Sequence, residues 1–169
     1  WLDELAESAS DDVLPFSAAI LQAVLPHLAG HSSELSGVAS SVNNKLLRIA
    51  KSASGPSVPV PGYVQATLKA INLPEVPPRI AGLSWLLLIH SRYSEQLFPQ
   101  LDELYPALLK ALSDPAEEVM RIDLEVIAQL SGKDAYFAKL MENLVRLFAN
   151  ERQVLRNRAP KIIRLLCRF

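Results

Sequence analysis

The residues whose types and spacing come closest to a reactive site are His27, His31 and Glu34, which lie four and then three positions apart. Such spacing can align metal ligands along one face of a helix, but Pro26 and Gly30 interrupt the helix that would hold them. Zinc is usually held rigidly by three or four ligands, and no cysteine lies near this segment to complete a set. The sequence therefore predicts no metal site.

Cys167 is the single cysteine of the chain. It lies beside Leu165 and Leu166, which is typical of a core residue. A cysteine nucleophile needs a base within hydrogen-bond reach, and the sequence identifies none. The chain also carries no glycine-rich phosphate loop, no nucleophile elbow and no dinucleotide fingerprint. We therefore expect a protein without enzymatic activity and without a cofactor.

Basic residues dominate the end of the chain, where every charged residue after Glu151 is an arginine or a lysine. Four of them lie three or four positions apart and would share one helix face: Arg158, Lys161, Arg164 and Arg168. This set is a candidate docking face for an acidic partner or for anionic lipid head groups. The alternatives are an ordinary solvated face and a face that meets the acidic surface of a neighbouring repeat.

Composition limits the remaining function classes. Half of the 169 residues are hydrophobic, only 7% are aromatic, and the net charge is −1, so no global charge favours nucleic acid. A single cysteine excludes an internal disulfide and fits a reducing compartment. The longest apolar run, at residues 83–89, is far shorter than the roughly 20 residues that span a bilayer. The chain begins at Trp1, without an initiator methionine or signal-like segment, so we expect a fragment of a longer protein.

The elements that must position these residues repeat along the chain. A shift of 35 positions pairs Leu109 with Leu144 and Leu112 with Leu147, and it continues into the following helix. The matches there are Val119 with Val154, Met120 with Leu155, Arg121 with Arg156, Ile127 with Ile162, and Leu130 with Leu165. Shifts of 41 and 43 relate the earlier quarters, mostly aliphatic on aliphatic. Such periods are typical of helix–turn–helix solenoids, so we predict an all-α, HEAT/armadillo-like superhelical solenoid of about four antiparallel helix pairs.

We expect one solenoid over residues 1–169, with repeats at about 13–50, 62–92, 97–132 and 136–169. The segment 51–62 is rich in Pro, Ser and Gly, which predicts a flexible connector. In repeat two, Pro74, Pro77 and Pro78 are expected to separate a first helix at 63–71 from a second at 79–91. Between the helices of repeat three, Asp114 or Ser113 is expected to cap the second helix. In repeat four, Pro160 predicts a kink or a restarting helix.

Residues 97–114 and 118–128 resemble HEAT-repeat sequence. More narrowly, the chain resembles the vacuolar HEAT-repeat scaffold family of the phosphatidylinositol 3-phosphate 5-kinase complex, called the associated regulator of PIKfyve in animals. Three stretches carry this resemblance: 13–29, 112–128 and 136–167. Residues 79–81 and 85–86 also agree with it. Where the family has long inserts after repeat one and before Tyr136, this chain has little or none.

The resemblance implies a non-catalytic scaffold that assembles a PIKfyve-type lipid kinase with the opposing Sac-domain phosphoinositide phosphatase and so regulates phosphatidylinositol 3,5-bisphosphate. It implies a peripheral location on the cytosolic face of vacuolar and late endosomal membranes, with self-association of the full-length protein. Neither a nucleic-acid partner nor a transmembrane segment is expected. The repeats alone equally allow a generic HEAT-repeat adaptor in transport or trafficking, and that alternative stays open.

Overall fold

The computed structural model describes residues 13–30, 32–53, 58–132, 134–150, 152, 156 and 159–166. Within these ranges, only the backbone is described at 134–136, 139, 147, 148, 161, 162, 165 and 166. All regular secondary structure in the described part is helical, which confirms the all-α prediction. The chain divides into two compact units, an N-terminal unit of residues 1–100 and a C-terminal unit of residues 101–169.

The N-terminal unit contains the helices of repeats one and two. Helix α1 (Ser17–Val24) lies between two 3-10 segments, Leu14–Phe16 and Leu25–Ala29, and is followed by α2 (Ser33–Ser52), α3 (Val60–Ile71), α4 (Val76–Leu97) and a 3-10 turn (Phe98–Gln100). Helix α1 packs on α3, α2 packs on α4, and α3 packs most extensively on α4. First helices thus contact first helices and second helices contact second helices, as expected of consecutive repeats.

Both helices of repeat two begin before the positions predicted for them. Helix α3 begins at Val60 with Pro61 in its first turn, and α4 begins at Val76 with Pro77 and Pro78 in its first turn. Proline is compatible with a first turn because the amide that it lacks has no partner within the helix. Since α2 also continues to Ser52, the segment between α2 and α3 covers 53–59, which is shorter than the predicted connector.

The helix predicted to end at Ser91 is followed by a kink at Tyr93, and a further helical stretch then continues to Leu97. The backbone of Tyr93 has φ −134° and ψ 35°, outside the helical range. Its buried hydroxyl donates a hydrogen bond to the carbonyl of Ala50 and lies 3.0 Å from that of Ala53, at the end of α2. The last carbonyls of a helix lack partners within it, so Tyr93 satisfies groups that burial would otherwise leave unpaired.

A buried polar pair joins α1 to α3. Ser17 and Tyr63 have no exposed surface, and their hydroxyl oxygens lie 2.6 Å apart. Ser17 donates its one hydroxyl proton to the carbonyl of Leu14. The Tyr63 hydroxyl must therefore be the donor to Ser17.

The same core continues from Tyr63 to α4 and α2. The ring of Tyr63 lies 5.1 Å from that of Trp85, at a tilt of 40°. Trp85 is fully buried, and its indole Nε1 donates a 2.8 Å hydrogen bond to Oδ1 of Asn43. The four helices described for the N-terminal unit, α1 to α4, thus contribute to one core in which these polar groups are paired.

The C-terminal unit contains α5 (Leu101–Ala111), α6 (Glu117–Leu130), α7 (Asp134–Asn150) and α8 (Ala159–Leu166). Helix α5 packs on α6, α7 packs on α5, and α8 packs on α6. The carboxylate of Asp114 accepts a 2.8 Å hydrogen bond from the amide of Ala116. Ala116 is itself the N-cap of α6 and no side chain caps that helix, so the prediction that Asp114 or Ser113 caps it is wrong. Helix α8 begins at Ala159 with Pro160 in its first turn, which confirms the predicted restart.

The buried leucines of α5 and α7 match at a shift of 36 positions, one more than the shift found from sequence. Leu104 and Leu108 of α5 are fully buried, and Leu140 and Leu144 of α7, 36 positions later, are the leucines of that helix described as buried. Sequence matching had instead paired Leu144 with Leu109, at 35 positions. In the second helices the 35-position register holds, since Leu124 and Ala159 are both buried.

Candidate docking face

Helix α8 presents a buried side to α6 and an exposed side to its surroundings. Ala159 is buried, whereas Pro160, Ile163 and Arg164 are exposed. Arg152 and Arg156, which precede α8 in the chain, are also helical and exposed. The exposed side of this segment therefore combines cationic side chains with an apolar one.

The structure locates the four predicted docking residues only in part. Arg164 lies in α8 and is exposed. The backbone of Lys161 belongs to α8, although its side chain is not described. Arg158 and Arg168 lie outside the described residues. That the four share one face therefore stays a prediction.

Exposed apolar side chains are a second feature of the C-terminal unit. Ile163 is 53% exposed in α8, and Phe137 and Val145 are 45% and 66% exposed in α7. Phe137, Met141 and Val145 are spaced four residues apart, so they follow one side of α7. Apolar groups grouped on one surface are typical of contact sites for proteins or membranes.

The sequence analysis did not single out Asp123, the most unusual polar residue of this unit. Asp123 lies in α6, has no exposed surface, and neither carboxylate oxygen has a hydrogen-bond partner among the described residues. Burial raises the pKa of this carboxyl well above its ordinary value of 3.8, and the nearby charge of Asp114 raises it further. The one sequence signal was an acidic residue between Ile122 and Leu124, in a helix that is apolar on both sides of it.

The candidate metal ligands do not form a site in the described part of the chain. His27 lies in the 3-10 segment after α1 and Glu34 in the first turn of α2, while His31 lies outside the described residues. Across the described residues, His, Cys, Asp and Glu form no group suited to hold a metal ion. His90 lies within α4, with its ring edge-on to Phe98 at 6.2 Å. No helix in the described ranges has both the length and the apolar character to cross a membrane.

The described residues thus define an all-α protein whose C-terminal unit exposes basic and apolar side chains. Comparison with curated proteins finds relatives that match over nearly the whole chain. The chain is 26% identical over 167 residues to "Protein VAC14 homolog" of Arabidopsis thaliana, covering 99% of this chain and 22% of that protein. It is also 26% identical over 184 residues to "Protein VAC14 homolog" of Schizosaccharomyces pombe, covering 100% and 23%.

A third relative carries a more descriptive name. "Vacuole morphology and inheritance protein 14" of Saccharomyces cerevisiae is 25% identical over 171 residues, covering 97% of this chain and 19% of the relative. These three relatives confirm the family resemblance that the sequence indicates. The chain spans about a fifth of the length of the curated relatives that it matches. No family model and no solved structure matches the chain.

Proposed function

We propose that this chain is part of a non-catalytic scaffold in vacuole maintenance, which assembles a PIKfyve-type phosphatidylinositol 3-phosphate 5-kinase with its opposing Sac-type phosphatase. The observation that carries the proposal is the match of nearly the whole chain to three relatives, one of which is named for vacuole morphology and inheritance. Through this assembly the scaffold regulates phosphatidylinositol 3,5-bisphosphate on the cytosolic face of vacuolar and late endosomal membranes. Self-association belongs to the full-length protein.

The architecture supports a binding role for the chain. Stacked helix pairs present extended surfaces on which large partners can dock. The C-terminal unit exposes apolar side chains on α7, with Val145 two-thirds exposed. A generic HEAT-repeat adaptor in transport would have the same architecture, so the partners decide between the two functions.

The experiment that tests this function is a binding assay with purified components. The full gene product that carries this chain is immobilised and offered the lipid kinase, the Sac-type phosphatase, or a karyopherin as the adaptor control. We expect retention of the kinase and the phosphatase and not of the karyopherin. Retention of neither enzyme would reject the scaffold function, and retention of the karyopherin alone would favour the transport adaptor.

We propose a second, subsidiary role for the basic face: docking to anionic lipid. Exposed Arg164 beside exposed Ile163 supports this role, because cationic and apolar side chains on one helix together favour a charged membrane surface. Liposomes containing anionic phosphoinositides are sedimented with the wild-type chain and with a variant that carries glutamine at Arg158, Lys161, Arg164 and Arg168.

A control variant removes the same charge from exposed positions elsewhere, namely Arg48, Lys51, Lys69 and Arg121. We expect the first variant to lose sedimentation and the control to retain it. Equal sedimentation of the two variants would reject a specific lipid-docking face.

A further inference from the structure

Asp123 is an acidic side chain buried in the middle of α6. The residue has no exposed surface, and neither of its carboxylate oxygens has a hydrogen-bond partner among the described residues. Its neighbours in the chain, Ile122 and Leu124, are apolar and also buried. An ionised carboxylate is strongly disfavoured in such surroundings, so a buried carboxyl group tends to hold a proton and stay neutral.

The charges on α6 and just before it do not offset this cost. Among the described residues, the charge that acts on the Asp123 carboxyl is that of Asp114, which lies between α5 and α6 and has the same sign. A like charge disfavours ionisation further. The other charged residues of α6 are exposed or half-buried: Glu117, Glu118, Arg121 and Glu125.

The neighbouring helices supply no described counter-charge inside the C-terminal unit. The helices that pack most extensively on α6 are α5 and α8. Tyr105 of α5 is a buried titratable residue, but it does not hydrogen-bond to Asp123. The charged side chains that are described on α5, α7 and α8 are all exposed: Asp102, Glu103, Lys110, Glu142, Arg146 and Arg164.

Protonation is the compensation that these surroundings leave for the carboxylate charge. We propose that Asp123 is kept as an uncharged carboxylic acid inside the C-terminal unit, and that its ionisation loosens the packing of α6 as pH rises. The inference is independent of the proposed scaffold function, since it concerns a protonation equilibrium within the chain.

The direction of the pH dependence follows from the burial of Asp123. Burial, together with the charge of Asp114, raises the pKa of the Asp123 carboxyl well above its ordinary value of 3.8. The unfolded chain therefore loses this proton at lower pH than the folded chain. As pH rises from about 4 toward the pKa of the folded carboxyl, the folded state becomes less favoured, and above that pKa the effect levels off.

Urea unfolding of the full 169-residue chain from about pH 4, near the ordinary aspartate pKa, to about pH 8 tests this device. Asp123→Asn has nearly the shape of the neutral acid and cannot ionise, and Glu118→Gln is the matched control because it removes an exposed carboxyl from the same helix. The folding equilibrium constant of Asp123→Asn relative to wild type should rise with pH, by up to about tenfold per pH unit while only the unfolded chain is ionised. For Glu118→Gln the same ratio should change by less than about fivefold over the whole range, because an exposed acid in a first turn interacts only weakly with the helix dipole.

A carboxyl-carbon NMR titration of the wild-type chain gives a second readout, which does not require the Asp123→Asn variant to fold. We expect Asp123 to lose its proton at higher pH than the exposed carboxyls of the chain. Two results would overturn the inference. One is a stability ratio for Asp123→Asn that does not change with pH, and the other is an Asp123 carboxyl that titrates with the exposed carboxyls or below them.

Discussion

Gly82 offers the sharpest test of the packing between α3 and α4. A Cβ atom at this position would lie 3.1 Å from Cγ1 of Ile71, 3.1 Å from the carbonyl oxygen of Thr67 and 3.2 Å from Cβ of Ala70. Two of these atoms belong to the backbone of α3 or are attached directly to it, so the neighbours can move only if the helices separate. Glycine is therefore required here by close approach and not by an unusual backbone angle.

The magnitude follows from two opposing effects. Alanine is a better helix former than glycine by about 1 kcal/mol, which favours Gly82→Ala. Overpacking a well-packed core costs roughly 1–3 kcal/mol and opposes it. We expect a net loss of up to about 2 kcal/mol for Gly82→Ala. At Gly37, also inside a helix, a Cβ atom would meet nothing within 4 Å, so Gly37→Ala should gain about 0.5–1 kcal/mol.

Urea titration followed by far-ultraviolet circular dichroism measures both variants against the wild-type chain. The two midpoints should move in opposite directions, with Gly37→Ala above wild type and Gly82→Ala below it. In a chain of this size, a difference of 1 kcal/mol corresponds to about 2–4 °C in the thermal midpoint, which provides a second readout. If Gly82→Ala is as stable as Gly37→Ala, α3 and α4 do not approach as closely as described.

Three further predictions concern the buried polar groups of the N-terminal unit. Ser17→Ala should lower the free energy of unfolding by about 1–3 kcal/mol, because it leaves the Tyr63 hydroxyl unpaired. Tyr63→Phe should lower it by only about 0.5–1.5 kcal/mol, because Ser17 keeps its hydrogen bond to the backbone. Urea titration measures both losses. Burial raises the pKa of Tyr63 above its ordinary value of 10.0, although the hydrogen bond with Ser17 opposes this shift. Because Tyr63 then ionises at lower pH in the unfolded chain than in the folded one, the free energy of unfolding should fall as pH rises above about 10. Tyr63→Phe should flatten that decline in unfolding curves recorded between pH 9 and 11, values near the tyrosine pKa of about 10. Asn43→Ala should cost about 1–3 kcal/mol, because it leaves the Trp85 indole N–H without its partner, and tryptophan fluorescence follows this change directly.

Apolar periodicity was sufficient to predict that the described chain is helical, because it needs only local sequence. Pro160 predicted a restarting helix, and it lies in the first turn of α8. Asp114 marks the turn before α6 but does not cap that helix. The predicted helix boundaries were wrong where a proline could lie either before a helix or in its first turn. Pro77 and Pro78 were expected to precede α4, but proline suits the first turn of a helix as well as the segment before it.

Features that depend on distant contacts could not be read from local pattern. The Tyr93 hydroxyl at the kink in α4 contacts carbonyls at the end of α2, 40 and 43 residues earlier in the chain. The core hydrogen bond between Trp85 and Asn43 spans 42 positions and has no periodic signature. Apolar periodicity predicts which side of a helix is buried, but it does not predict which polar groups meet there.

The candidate docking face was predicted less completely than the fold. Spacing alone placed four basic residues on one helix face, and the described residues place Arg164 in an exposed position there. Spacing does not predict whether a basic side chain meets solvent or a buried acid, because that depends on the neighbouring helix. Asp123 is an example of a charged residue whose complete burial could not be predicted from spacing, because that burial arises from the packing of the C-terminal unit around α6.

The most direct test of the central claim is the composition of the complex that the scaffold forms. The full gene product is mixed with purified lipid kinase and Sac-type phosphatase, and the mass of the assembly is measured by light scattering after size-exclusion chromatography. The scaffold account predicts one species that contains all three proteins, which does not form when the scaffold is omitted. Separate elution of the kinase and the phosphatase in its presence would contradict the account.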